Sequence, residues 1–274
     1  MLLRPVLPDS SQHALIGMVH LQALSSTGGG RAHLAAVERF ALTDAERLLE
    51  AGFPCIALEN FGDTPFSPGS VSPFTVAAMT RMALGVRRLA GDAFPIVINV
   101  LRNDAHAALS IAAAVGAFAV RVNVHSGAAV TDQGLIQGRA HETVPLRDQL
   151  APQCRFFCDV RVKHAAPLIA RPIEEEAEEL HERARADALI VSGAKTGGAT
   201  DPERVATVRR AVSCPILIGS GATPETLASL GAHADGFIVG SWLKEGGRLA
   251  NPIDLQRARA MVAAAASLST SGVR

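Results

Sequence analysis

The sequence contains no tyrosine, a single tryptophan and only three lysines in 274 residues. Its positive and negative side chains balance, 26 against 26. That balance excludes a global field of the kind that gathers nucleic acid or an anionic membrane. No apolar run reaches the roughly 18 residues needed to span a bilayer. The alanine-rich segments 105–119 and 258–266 are interrupted or too short. The N-terminus, Met1-Leu2-Leu3-Arg4-Pro5, lacks the charged start and long apolar run of a secretory signal. These absences predict a cytoplasmic protein, at most peripheral to a membrane, with no integral membrane segment and no nucleic-acid partner. Four cysteines, Cys55, Cys154, Cys158 and Cys214, form no Cys-x-x-Cys pair. Reduced, buried thiols are expected.

What is present is a regular alternation of short apolar runs with longer amphipathic ones. Strands are predicted at 14–20, 55–60, 95–100, 118–125, 155–160, 188–192, 215–219 and 236–240. Helices are predicted between them, at 32–51, 74–90, 104–116, 139–151, 173–185, 201–212, 224–230 and 252–266. Strands that alternate with helices pair in parallel through right-handed crossovers. Eight such units in about 250 residues predict an α/β fold, the (β/α)8 TIM barrel. The chain is expected to be one such domain over 1–274, with 267–274 a frayed tail. Asn103-Asp104, Thr200-Asp201-Pro202-Glu203, Thr223-Pro224-Glu225 and Asn251-Pro252 read as helix starts. The glycine-rich segment 25–31 is predicted to form a mobile loop over the barrel mouth. An open doubly wound sheet lacks support, since neither Gly-x-Gly-x-x-Gly nor Gly-x-x-x-x-Gly-Lys-Ser/Thr occurs.

Polar residues gather where the predicted strands end. His20 closes the first, Glu59-Asn60 the second, and Asn99 lies on the third, followed by Arg102. Arg121, Asn123 and His125 lie on the fourth, and Asp159, Arg161 and Lys163 alternate around the fifth. In a barrel, these carboxyl ends converge on one mouth, where active sites sit. The three lysines, Lys163, Lys195 and Lys244, all follow predicted strand ends. An ammonium group there suits anion binding or proton transfer.

Strands seven and eight are followed by Gly219-Ser220-Gly221 and Gly240-Ser241, and Ser192-Gly193 follows strand six. Small residues let backbone N–H groups approach an anion. Ser192, Gly193, Gly219, Ser220, Gly221, Gly240 and Ser241 are therefore the candidate phosphate-binding residues. Glu59, Asn123, His125, Asp159 and Lys163 are the candidate catalytic residues. They allow proton transfer beside a carbonyl, or a Schiff base on Lys163 or Lys195. The cofactor is unknown. A divalent cation is one option, with His20, Glu59, His125 and Asp159 as its candidate ligands.

Several motifs resemble the BtpA/SgcQ family. They are Ile16-Gly17-Met18-Val19-His20, Leu58-Glu59-Asn60-Phe61-Gly62-Asp63, Asn99-Val100-Leu101-Arg102-Asn103-Asp104 and Arg121-Val122-Asn123-Val124-His125-Ser126-Gly127. Thr131-Asp132-Gln133-Gly134, Asp159-Val160-Arg161-Val162-Lys163-His164 and Ala234-Asp235-Gly236-Phe237-Ile238-Val239-Gly240 continue the likeness over almost the whole chain. The resemblance implies a barrel fold. In photosynthetic members it implies a link to biogenesis or stability of photosystem I proteins at membranes. SgcQ-like members resemble sugar-related enzymes. The segment 25–31 stands where the family has a proline-rich stretch.

Three function classes follow. One is an enzyme doing acid/base chemistry, of lyase or isomerase type, on a phosphorylated sugar or nucleotide-like metabolite. The second is a metal-dependent hydrolase. The third is a non-catalytic biogenesis or assembly factor for membrane protein complexes. The partner expected of the first is a small anionic metabolite, and a homo-oligomer is compatible with all three.

Overall fold

A computed structural model describes residues 13–25, 30–193 and 198–268. Eleven strands lie among them: β1 (Ala14–His20), β2 (Cys55–Glu59), β3 (Ile96–Asn99), β4 (Ala119–Val122), β5 (Ala128–Thr131), β6 (Gly134–Gln137), β7 (Arg155–Asp159), β8 (Ala165–Pro167), β9 (Ala188–Val191), β10 (Ile216–Ile218) and β11 (Gly236–Val239). Eight close a parallel barrel in the order β1-β11-β10-β9-β7-β4-β3-β2. These are the eight predicted strands. They were legible because strands covered on both faces are almost continuously apolar.

The helices are α1 (Gly30–Ala51), α2 (Pro73–Ala90), α3 (Ala105–Val115), α4 (Ala140–Leu150), α5 (Ile173–Glu182), α6 (Pro202–Ala211), α7 (Leu227–Gly231) and α8 (Leu255–Ala266). Asp104 caps α3 by accepting the Ala107 N–H at 2.9 Å, and Asp201 caps α6 through Glu203 N–H at 3.1 Å. The last two helices start later than predicted. Before α7, Thr226 Oγ1 takes the Thr223 N–H at 2.9 Å and makes a separate turn. Before α8, Asp44 holds the Ile253 N–H at 2.7 Å, so the chain stays extended until Asp254 caps the helix.

Alternation along each strand divides the core. Ala14, Ile16 and Met18 point into the barrel with Val97, Phe157, Ile190, Leu217 and Ile238. Leu15, Val19, Ile56, Ile98 and Val120 face the helices. All four cysteines are unpaired and buried, and burial pushes the Cys214 thiol up to about 11. No described helix is long and apolar enough to cross a membrane.

The predictions missed a small antiparallel sheet, ordered β6-β5-β8, above the barrel mouth. Its strands are three or four residues long and half exposed, so they lack the apolar run that marks a barrel strand. Asp132-Gln133 form the turn of its hairpin, with Gly134 at φ 97°. Most of the predicted loop over the mouth, and the tail beyond 268, lie outside the described residues, as does Lys195.

Candidate functional site

Strand register assembles a polar layer on the apolar barrel interior. His20 pairs laterally with Glu59, Glu59 with Asn99, and Asn99 with Arg121. Lateral partners share a face, so these four side chains point together across β1 to β4. Asp159 from β7 completes the layer. It accepts Arg121 Nε and Nη2, both at 2.9 Å, Asn123 Nδ2 at 3.1 Å and Ser192 Oγ at 3.3 Å. The carboxylate is fully buried and its lone pairs are occupied. Of the candidate catalytic residues, Asn123 and Asp159 thus anchor Arg121 and form the floor.

Glu59, His20 and Lys163 occupy the space above this floor. His20 Nε2 lies 3.8 Å from Glu59 Oε1. Burial raises the Glu59 pKa, against the pull of Arg121 and Lys163. Burial, helped by the charges of Lys244, Lys163 and Arg121, holds His20 well below its ordinary value. Lys163 is lowered by burial first and by Arg121 next. Its ammonium group makes no hydrogen bond among the described residues. Gly240 is small because a Cβ there would come within 2.7 Å of the His20 ring.

The cavity has two lobes that share His20, Glu59, Arg121 and Lys163. One, of about 230 Å³, is lined by residues 219–223, 240–242 and Arg257. The other, of about 390 Å³, is lined by Phe61, Phe66, Leu101, Arg102, Asn123, Asp132 and His164.

The loops at the first lobe divide into scaffold and free donors. Ser220 Oγ accepts the Gly193 N–H at 2.8 Å and donates to Gly198 O at 3.3 Å. Gly219 N–H is held by Val191 O at 2.9 Å. Ser192 is taken up by Asp159. These groups therefore fasten the loops to each other and are not offered to a ligand. The N–H groups of Gly221, Ala222, Gly240 and Ser241 have no hydrogen-bond acceptor among the described residues. Gly221 sits at φ +74°, and a Cβ there would meet Gly198 O at 2.6 Å.

Three expected mouth residues lie elsewhere. β4 ends at Val122, so the alternation that placed Asn123 and His125 on one face does not continue. The His125 ring tilts against Phe156, 4.7 Å between centroids, and its Nε2–H donates to Ala184 O at 3.0 Å. Lys244 is buried in an ion pair with Asp44 of α1, with its ammonium 5.6 Å from the centre of the Phe40 ring. It ties the β11 loop to α1, and its ammonium is taken by Asp44 and does not face the cavity. Arg161 likewise turns from the mouth to Glu176 on α5, Nη2 to Oε1 at 2.7 Å. The four predicted metal ligands do not converge: His20 and Glu59 are neighbours, His125 is outside and Asp159 is saturated. Among the described residues no group of three or more His, Cys, Asp or Glu side chains is set to hold a metal ion.

The position of His125 gives a stability prediction. Burial lowers its pKa to about 4. The unfolded state therefore binds a proton that the folded state refuses, between about pH 6.5 and pH 4. Stability contributed by this site falls as pH drops through that window, by up to about 3 kcal/mol. Urea unfolding of His125→Gln against the parent chain should show a shallower acid slope, and an unchanged slope would count against it.

The model of the BtpA family matches residues 11–267. The chain belongs to the BtpA family. An uncharacterized protein of Thermococcus kodakarensis is 42% identical over 97% of this chain and 100% of its own. The photosystem I biogenesis protein BtpA of Synechocystis is 39% identical over 93% of this chain and 89% of its own. Among solved structures, (S)-3-O-geranylgeranylglyceryl phosphate synthase from Thermoplasma acidophilum, in complex with its substrate sn-glycerol-1-phosphate, aligns with a TM-score of 0.58. It is 16% identical and 96% of each chain is covered. Phosphoribosyl anthranilate isomerase from Thermus thermophilus aligns with a TM-score of 0.57 at 13% identity, over 92% of this chain and 98% of its own. At these identities the two structures share the barrel fold with this BtpA-family chain.

Arg121 and Arg102 were expected at the mouth but given no role there, and Phe61, Phe66 and Arg257 were given none either. Arg121 had a legible signal, since Ala119, Arg121 and Asn123 alternate toward the barrel interior. The others come from loops, where alternation carries no information.

Proposed function

We propose that the cavity binds a phosphorylated or otherwise anionic small molecule and moves a proton on it, as an isomerase or lyase does. One observation supports this above the rest: among the described residues the Lys163 ammonium has no hydrogen-bond acceptor, beside four backbone N–H groups that also lack one there. Arg121 is neutralised by Asp159, which leaves the Lys163 ammonium without a hydrogen-bonded counter-ion among the described residues. An anionic ligand would supply one. Gly221, Ala222, Gly240 and Ser241 would hold the phosphate. Glu59 and His20 would exchange the proton, with Lys163 stabilising the negative charge that develops.

Inorganic phosphate should raise the melting temperature of the chain, in proportion to the logarithm of its concentration above Kd. Gly221→Ala, which forces a side chain into a left-handed position and against Gly198, should weaken phosphate binding about 10-fold or more. Calorimetric titration checks both, and no heat or shift up to tens of millimolar phosphate would remove the proposal.

A second reading, assembly of membrane proteins, draws on the name of the Synechocystis relative and on an exposed apolar row. Leu135, Val130 and Ala166 lie side by side across β6-β5-β8. Leu168 and Ile169, 57% and 72% exposed, extend the row. Such patches mark interaction surfaces. Co-sedimentation with lipid vesicles that Ile169→Asp abolishes would favour it.

A further inference from the structure

A phosphate on the β10 and β11 loops would leave the second lobe with a cation of its own that no described carboxylate hydrogen-bonds. Arg102 is 6% exposed. Of its five guanidinium donors one is used among the described residues, Nη2 to Lys163 O at 2.7 Å. Its backbone is fixed by a bond from its N–H to Ser67 O at 3.3 Å. The rest of the guanidinium opens onto the cavity beside Lys163. The nearby carboxylates attract it but give it no hydrogen bond among the described residues: Asp159 is taken up by Arg121, Asn123 and Ser192, and Glu59 is the proposed proton acceptor. Asp132 is exposed on the β5–β6 turn at the rim. A buried guanidinium with open donors is costly unless a planar anion fills its fork.

We propose that the ligand is a phosphorylated acid, with its phosphate on the β10 and β11 loops and a carboxylate on Arg102 beside Lys163. This rests on the anion-binding reading of the same cavity and names its substrate class. The two anion receptors lie at opposite ends, and His20 and Glu59 line both lobes. A carbon between the phosphate and the carboxylate therefore passes over the groups placed to take its proton. Phe61 and Phe66, with centroids 6.3 Å apart, wall the carboxylate end. Their rings exclude water and strengthen the ion pair. A carboxylate suits this end better than a second phosphate. Arg102 presents a flat fork, whereas the glycine turns that let backbone N–H groups crowd a phosphate line the other lobe.

Calorimetric titration of the full chain separates the two claims. The probes are inorganic phosphate, then two matched pairs: sn-glycerol 1-phosphate against 3-phosphoglycerate, and glucose 6-phosphate against 6-phosphogluconate. The acid of at least one pair should bind roughly 10- to 100-fold more tightly than the partner that lacks the carboxylate. Arg102→Gln should erase that preference and leave the Kd for inorganic phosphate within about twofold, since the lost bonds are confined to the second lobe. If Arg102→Gln does not fold, Lys163→Met should reduce the same preference while the acid-independent affinity falls less. Equal binding within both pairs would overturn the carboxylate assignment, as would tighter, Arg102-dependent binding of fructose 1,6-bisphosphate than of either acid. Failure of inorganic phosphate itself to bind would remove the anion-binding reading beneath it.

Discussion

Replacing Asp159 with alanine is expected to destabilise the chain by about 3–5 kcal/mol, because it strands a buried charge. The Arg121 guanidinium is 4% exposed and has one carboxylate partner, held by two bonds of 2.9 Å. Burial alone works against the arginine's charge, and the attraction and hydrogen bonds of Asp159 outweigh it, so the Arg121 pKa is raised. Alanine removes the attraction and leaves the desolvation. It also frees Asn123 Nδ2 and Ser192 Oγ, which lose their acceptor. Calorimetric melting should show a fall of roughly 10 °C. The double variant Asp159→Leu with Arg121→Met should recover much of it, since an apolar pair of similar volume has no charge to desolvate. A loss below about 1 kcal/mol for the alanine variant would mean that Arg121 reaches water or another anion.

The second large effect is on chemistry. Glu59→Gln keeps the shape of the side chain and removes its proton transfer. Exchange of a substrate carbon-bound proton with solvent deuterium, followed by proton NMR across phosphorylated sugars and sugar acids, should slow by about 10²- to 10⁴-fold. Stability should hold or rise slightly, because burial already penalises the ionised carboxyl. The pH profile provides a further sign. As the proposed base, Glu59 would work only above its raised pKa, so the acid limb should move up from the ordinary carboxyl range. Lys163 keeps its charge only below its lowered pKa, so the alkaline limb moves down from the ordinary amine range. Glu59→Gln should flatten the acid limb and Lys163→Met the alkaline one. Undiminished exchange in Glu59→Gln would assign the base to another residue.

These residues also mark how far a one-dimensional reading reaches. Glu59 and His20 end strands whose every residue is buried, so a polar residue there stands out in the sequence and its direction follows from period-two alternation. His125 and Arg161 were misplaced for the same reason that Glu59 was placed correctly. Both lie past the last ladder bond, where backbone direction is set by loop contacts and alternation ceases to hold. Lys244 failed differently. Its position after β11 was legible, but its partner Asp44 lies 200 residues away on α1. No local pattern announces that pairing.

The residues themselves determined the eight barrel strands, the helices between them, the polar strand ends and the glycine turns after β10 and β11. Apolar runs, caps and turns are local, and their energies depend on neighbours a few positions away. Only the tertiary structure decided which polar groups are spent and which are free. Ser220, Gly193 and Asp159 are satisfied internally, while among the described residues the Lys163 ammonium and the N–H groups of Gly221 and Ser241 find no acceptor and Arg102 uses one guanidinium donor. That division depends on which distant atoms fill each hydrogen-bonding position, and closure of the barrel is what brings those atoms together.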